Sequence, residues 1–243
     1  MSVRFYCPEP PQEGCFHLPA DEARHLARVC RHVPGDRVEL FDGKGFATIA
    51  RVTEIGSDRV QLVADGPPLA DRSPACSLTL ATAIPKGDRF DWLVEKATEL
   101  GVNRLIPLLT ERSVVDPRFA KIDRLRRASI EAAKQARRSR LLILENPWKW
   151  ADLVGRARHD FCFLAQPGGL SPAHWPGLAG AREVLLAIGP EGGFSSAEED
   201  LALVAGWQPI SLNQHILRIE TAALAGAVLV LTRCEELGAI ALD

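Results

Sequence analysis

From Ser77 onward the chain alternates short β-like runs with longer amphipathic ones, and this alternation limits the possible folds more than any other feature. Strands are expected at Ser77 to Ala83, Arg104 to Leu109, Leu141 to Leu144, Phe161 to Ala165, Glu183 to Ile188 and Pro209 to Leu212, with helices between most of them. A repeated strand-helix order makes successive strands parallel, and a parallel sheet must be covered by helices on both faces. Phe90, Leu93, Val94, Ala97 and Leu100 mark one face of a helix that should stop at Gly101. The expected class is therefore α/β.

The region before this alternation reads differently. Asp21 is placed to cap a short helix, Glu22 to Arg31, and three β-like runs follow: Arg37 to Phe41, Phe46 to Ile55 and Arg59 to Ala64. Turn residues separate them, as in a small β-barrel, a form that either binds RNA or serves only as a scaffold. Pro and polar residues from Gly66 to Pro74 suggest a linker, dividing the chain into domains 1–70 and 74–243.

Composition excludes several classes. Of 243 residues, 47% are apolar and 25% charged, which is ordinary for a globular chain, and a net charge of −2 argues against a uniformly basic surface. Six cysteines lack any CxxC pairing and five histidines (His17, His25, His32, His159, His174) lack ligand spacing, so no metal site is expected. The first residues lack the apolar core of a signal peptide, and the apolar run Ala222 to Leu231 is too short to span a bilayer. A cytoplasmic protein is expected.

Two segments stand where strands should open into loops: Ile188-Gly-Pro-Glu-Gly-Gly193, followed by Phe194 and Ser195, and Leu212-Asn-Gln-His-Ile-Leu-Arg-Ile-Glu-Thr-Ala222. In parallel sheets ligands sit beyond the carboxyl ends of strands, so these loops can form two walls of one pocket. Gly189, Gly192 and Gly193 permit close backbone approach, and Ser195 with Glu198, or Ser196 with Glu199, can start the next helix as a capping box. The glycine spacing is not GxGxxG and no Walker lysine follows, so phosphate binding is not indicated, and a tight turn without a ligand stays open. Arg218 and Glu220 likewise read either as functional residues or as an ion pair at the start of a buried helix.

Positive charge concentrates between Lys121 and Arg140 on a helix expected from about Arg118 to Arg138. Eight basic residues against two acidic ones give a net of +6. An apolar face carrying Ile122, Leu125, Ala132, Ala133 and Ala136 lets this helix pack while turning its charge outward towards phosphates. Arg137, Arg138 and Arg140 are its candidate RNA contacts. Lys86, Arg89 and Arg112 add charge near the ends of the first two strands, as RNA contacts or as ordinary surface residues.

Five ordered motifs carry a family resemblance: Ile84-Pro-Lys-Gly-Asp-Arg89, Val94-Glu-Lys-Ala-Thr-Glu-Leu-Gly-Val102, Glu111-Arg-Ser113, the Ile188 to Gly193 loop and Ile216-Leu-Arg-Ile-Glu-Thr-Ala222. Together they resemble the RsmE family, bacterial methyltransferases of the SPOUT superfamily. Arg28-Val-Cys-Arg31 with Pro34-Gly-Asp36 and Phe41-Asp-Gly43 is similar to that family's PUA-like domain, which adds Arg28 and Arg31 to the RNA candidates.

The resemblance implies a PUA-like β-barrel, then a parallel-sheet SPOUT domain whose C-terminal segment threads a trefoil knot. It also implies a homodimer that uses S-adenosylmethionine (SAM) to methylate N3 of a uridine in small-subunit ribosomal RNA, as naked RNA or in an assembled subunit. Leu164 and Gln166, the loop Ile188, Gly189, Pro190, Glu191, Gly192 and Gly193, and the segment Leu212, Asn213, Ile216 and Leu217 would enclose the cofactor. Arg218 would stabilise charge on the uracil oxygens, Glu220 would orient Arg218, and His215 or a water would take the N3 proton. The sequence departs from the family pattern at Asn213 and His215, where a glycine and an arginine are usual, and at Lys134, where a glutamate is usual. Asn tolerates left-handed backbone better than most residues, so it can stand in for the glycine in the cofactor loop. The departures also leave room for a ribosome-assembly protein on the same fold with little catalysis.

Overall fold

The computed structural model describes residues 3–9, 14–56, 58–70, 74–114, 122–178 and 180–239. Its backbone divides into two compact units, Met1–Ser73 with Ile130–Leu141, and Pro74–Ser129 with Leu142–Asp243.

In the N-terminal unit, strands β1 (Arg4–Tyr6), β2 (Cys15–His17), β3 (Arg37–Phe41), β4 (Ala47–Ile55) and β5 (Val60–Pro68) pair in the order β1-β3-β4-β5-β2. β3, β4 and β5 form an antiparallel meander, with β1 parallel to β3. Two register shifts between β4 and β5 bend the sheet. Its outer strands meet, because the Cys7 thiol just beyond β1 donates to the His17 carbonyl at the end of β2, 3.6 Å away. Phe5, Leu26, Val38, Leu40 and Leu62 fill the interior. β5 runs on through Gly66–Pro68, so the expected linker is partly strand; residues 71–73 and Ser57 lie outside the described set.

The short helix also departs from expectation. Helix α1 (Ala20–Arg24) begins at Pro19 without a side-chain cap, and Asp21 Oδ1 instead accepts from the neighbouring Glu22 amide. A π-helical turn, His25–Val29, replaces the regular helix expected to Arg31, whose φ of 57° cannot belong to an α-helix.

The basic helix is α3 (Ile122–Gln135), and its expected start at Arg118 to Lys121 lies outside the described residues. It ends at Gln135 rather than Arg138 because Arg137 takes a left-handed φ of 55°. The Arg138 amide then donates back to the Ala133 carbonyl at 2.9 Å, closing a Schellman-type end. The residues that follow belong to the N-terminal unit. Arg4 reaches the Ala133 and Arg138 carbonyls at 3.2 and 2.8 Å and Ser139 Oγ at 2.7 Å, while its Nε pairs with Glu39 at 2.9 Å. Lys134 pairs with Glu22 and Glu131 instead of projecting outward, and both Lys134 and Glu22 have side chains only 10% exposed.

The C-terminal unit holds β6 (Ser77–Ala83), β7 (Arg104–Leu109), β8 (Ile143–Leu144), β9 (Trp148–Lys149), β10 (Phe161–Leu170), β11 (Glu183–Ile188) and β12 (Gln208–Ile210). These strands are all parallel, in the order β12-β10-β11-β6-β7-β8, with β9 also on β7. Alternating side chains serve two cores. Val184, Leu186 and Ile188 pack towards α2 (Arg89–Leu100) and α6 (Ile219–Ala239), whereas Leu185 and Ala187 pack towards α4 (Trp150–Arg156) and α5 (Ser196–Val204). β11 is apolar at successive positions because both of its faces are covered. Each fully buried Val or Leu there contributes about 1.5–3 kcal/mol. Because the strands are parallel, every strand-end loop emerges on the same edge, and this places the candidate site.

Candidate active site

Three loops meet the requirements of a pocket at the carboxyl edge of β10, β11 and β12. The first is not the simple strand end expected at Ala165. Ala165 pairs with Ile210, the chain bulges through Gln166 to Gly169, and Leu170 returns to pair with Ile210 again. Ser211 fixes the return by donating its amide to the Leu170 carbonyl at 2.8 Å. Only glycine fits at 169, since a Cβ there would lie 2.6 Å from the Ile210 backbone. The bulge thus stands over the end of β12. Within it, the Gln166 side-chain oxygen is buried without a hydrogen-bond partner. An acceptor left in this state costs about 1–3 kcal/mol unless a ligand or water satisfies it.

The second loop follows β11. Pro190 O accepts from the Gly193 amide at 2.8 Å, and Gly193 adopts φ 68°, a turn conformation that side chains resist. Of the two possible capping boxes, Ser195 with Glu198 is the one formed. Ser195 N donates to Glu198 Oε2 at 2.9 Å, and Glu198 N donates to Ser195 Oγ. The other oxygen of Glu198 accepts from the Glu111 amide at 2.8 Å, tying this loop to the one after β7. Pro190 is buried, whereas Glu191 and Gly192 are exposed.

The third loop follows β12. Asn213 makes no use of the left-handed conformation it tolerates; among the described non-glycine residues only Arg31 and Arg137 have positive φ. Its side-chain Oδ1 accepts instead from the Gln214 amide at 2.6 Å and from the His215 amide at 3.4 Å, forming an Asx turn. Leu212 packs on the core, Leu217 is half-buried, and His215, Ile216 and Arg218 are exposed. Leu164 and Ile188 are core side chains that hold the strands rather than line the loops.

Glu220 is 6% exposed in the first turn of α6, and its partner is not Arg218. Arg89 Nη1, from the start of α2, meets Glu220 Oε1 at 3.1 Å, while Arg89 Nε donates to the Lys86 carbonyl at 3.0 Å. Glu220 Oε2 is buried with no partner. The ion pair that is one reading of Arg218 and Glu220 is therefore replaced by one between Glu220 and Arg89, Glu220 being buried in the first turn of α6 and Arg218, just before it, exposed. Arg218 is left exposed towards solvent.

The basic candidates fall into separate groups. Arg28, Arg31, Lys86, Arg112 and Arg140 are exposed, Arg137 is about half exposed, Arg89 is partly buried and Arg138 is buried. Arg112 is turned inward at its tip, donating to the Gly192 and Phe194 carbonyls at 2.7 and 3.2 Å. On the basic helix, Arg124 pairs with Asp91 and Arg126 with Asp123, leaving Arg127 exposed. Sequence reasoning did not single out the Gly169 bulge or the Arg89 partnership, because both depend on residues far apart in the chain. No cluster of metal-ligating side chains occurs among the described residues, and all six cysteines are free thiols.

Comparison with known proteins gives this geometry a class. A model of the RNA methyltransferase domain matches residues 71–231, and one of the RNA methyltransferase PUA domain matches residues 18–65. The molecule is an RNA methyltransferase in fold, a PUA-like unit followed by a parallel-sheet SPOUT domain. A ribosomal RNA small subunit methyltransferase E from Synechocystis is 31% identical over 221 residues, 88% of this chain and 72% of the relative. The chain belongs to that methyltransferase E family. A Neisseria gonorrhoeae family member solved with S-adenosyl methionine superimposes with a TM-score of 0.86 at 30% identity, covering 96% of this chain and 98% of the other. A Legionella pneumophila methyltransferase, solved with SAM, gives 0.83 at 30% identity over 94% and 97% of the two chains.

Proposed function

We propose that the protein transfers the methyl group of SAM to N3 of a uridine in small-subunit ribosomal RNA. The observation that carries this reading is the three-loop edge itself, with a buried unpartnered Gln166 acceptor beside two tightly set turns, on a fold whose relatives hold SAM. Gln166, the 189–193 turn and the 212–217 segment would hold the cofactor. A polar acceptor next to backbone donors and half-buried apolar side chains fits a ligand that joins an adenosine to an amino acid. The bound cofactor supplies an electrophilic methyl on a sulfonium.

The remaining work falls to the protein. Uracil N3 lies on the pairing edge, so the target base must be unpaired or flipped out before it can be reached. Its proton must leave before methyl transfer, and the exposed His215 would take it, directly or through water. Arg218, three residues after His215 and exposed, would donate to the charge that develops on the uracil oxygens, a role worth about 3–4 kcal/mol when the donor is held in position. Glu220 is given to Arg89 and so fixes the starts of α2 and α6 rather than orienting Arg218.

The PUA-like unit, with Arg28 and Arg31, and the basic residues Arg137, Arg138 and Arg140 would bind RNA together with Lys86 and Arg89, whereas Arg112, the remaining basic candidate, is turned onto the 189–195 loop. Arg138 acts there through the backbone it helps to set, since its side chain is buried. The C-terminal segment would thread a trefoil knot and α6 would join a homodimer in the cytoplasm. Val228 on α6, 43% exposed, and Ile216, 91% exposed, are apolar groups that such a contact would cover. No helix of the described residues is long and apolar enough to cross a membrane. Calorimetry with SAM, followed by methyl transfer to unmodified small subunits, tests the reading. Binding and transfer of one methyl per subunit are expected; cofactor binding with no transfer to any RNA would favour a binding protein on this fold.

A further inference from the structure

The Glu111-Arg-Ser113 motif has no part in the mechanism above, although every one of its residues is tightly engaged. Ser113 closes a turn after β7: its Oγ accepts from the Thr110 amide at 2.9 Å and lies 3.0 Å from Thr110 Oγ1, while the Ser113 amide donates to the Thr110 carbonyl at 3.1 Å. Glu111 contributes its amide, which donates to Glu198 Oε1, the carboxylate that also holds the Ser195 amide. Arg112 then reaches across to the 189–195 loop. One guanidinium nitrogen donates to both the Gly192 and Phe194 carbonyls, at 2.7 and 3.2 Å. The stem of Arg112 covers Gly192 closely, since a Cβ there would lie 3.4 Å from Arg112 Cδ.

We infer that Arg112 is a positioning residue which clasps the loop after β11, so that the turn is set before a ligand arrives. An isolated basic residue near a strand end reads as a phosphate contact, but a guanidinium committed to two backbone carbonyls has been withdrawn from that use. Those carbonyls bracket Gly193, whose left-handed backbone is the most demanding point of the loop. A charge-assisted bond to each carbonyl opposes relaxation of the turn. Loss of the clasp leaves the chemistry of the loop unchanged and raises the cost of ordering it on binding.

The inference rests on the 189–193 turn being part of the SAM site, and the test separates the two. Calorimetry of Arg112→Ala should show SAM binding about tenfold weaker than wild type, the effect of losing roughly one such bond. Arg112→Lys should recover part of the loss, because its ammonium can also donate to two carbonyls but its shorter stem does not reach the Nη1 position. The salt dependence of RNA binding should not change. Equal SAM affinity in wild type and Arg112→Ala, or unchanged SAM affinity with a salt slope reduced by about one, would overturn the clasp in favour of a phosphate contact. Hydrogen exchange at the Gly193 and Ser195 amides reads the clasp without cofactor, and should be at least several-fold faster in both variants. A wild type that binds no SAM but shows this exchange difference would defeat the SAM reading and keep the clasp; unchanged exchange would defeat the clasp.

Discussion

Buried charge is used for different ends in the two units. In the N-terminal unit the charged side chains that leave the surface meet one another: Arg4 with Glu39, Lys134 with Glu22. Burial pushes the Glu22 carboxyl up, against the hydrogen bond and charge of Lys134. Burial would likewise lower the Lys134 ammonium, yet its bonds to Glu131 and Glu22 raise it overall. At the carboxyl edge of the C-terminal sheet Glu220 pairs with Arg89 through one oxygen only, and its other oxygen and Gln166 Oε1 are buried without a partner, as His32 Nε2 is in the N-terminal unit. Completed pairs define an architecture, and leftover acceptors mark where something else binds.

Four substitutions or conditions would break or sharpen this contrast. Lys134→Met strips the buried Glu22 of its main partner and should destabilise the protein by about 3–5 kcal/mol in denaturant unfolding. SAM affinity of the folded variant should be unchanged, and adding Glu22→Gln should recover much of the loss. Arg218→Ala should do the reverse, lowering kcat by about 10²–10³-fold with unfolding and SAM binding as in wild type. Full turnover in that variant would remove Arg218 from the reaction. Ser195→Ala opens the capping box of α5 and should cost about 1 kcal/mol, read by the same unfolding titration.

The smallest effects should come from pH, and one buried group in each unit should show them on opposite sides of neutrality. In the N-terminal unit burial pushes the Cys7 thiol from 9.0 to about 11. The stability it contributes is therefore complete below about 9 and is lost as pH rises towards 11. Hydrogen exchange in β3 should report it. In the C-terminal unit burial holds the His159 imidazole below its ordinary 6.5, so its contribution is present above that value and is lost as pH falls through the lowered pKa. All five tryptophans lie in this unit, so their fluorescence should follow the acid loss. His159→Gln should abolish that acid component.

How much of this was legible in the sequence depended on distance along the chain. The parallel sheet came from local periodicity, which is strong in β11 because both faces are buried, and the Ser195 capping box came from a spacing of three residues. The end of α3 at Gln135 did not, because the left-handed Arg137 lies between Ala133 and Arg138, whose carbonyls are held by Arg4, 129 and 134 residues away. For the same reason Glu220 was matched with its near neighbour Arg218 when its partner is Arg89. Asn213 was read for its tolerance of left-handed backbone, whereas its side chain makes the turn. The site is thus readable where it is made of turns, and hidden where it is made of pairings between turns.

The central claim is a specific reaction at the edge formed by β10, β11 and β12. Small subunits from cells lacking the protein, incubated with it and methyl-labelled SAM and then mapped by mass spectrometry, test that claim most directly. The account predicts one added methyl, on N3 of a single uridine of the small-subunit RNA, absent with Arg218→Ala. A methyl on carbon or ribose, or SAM bound with no methyl transferred, would contradict it.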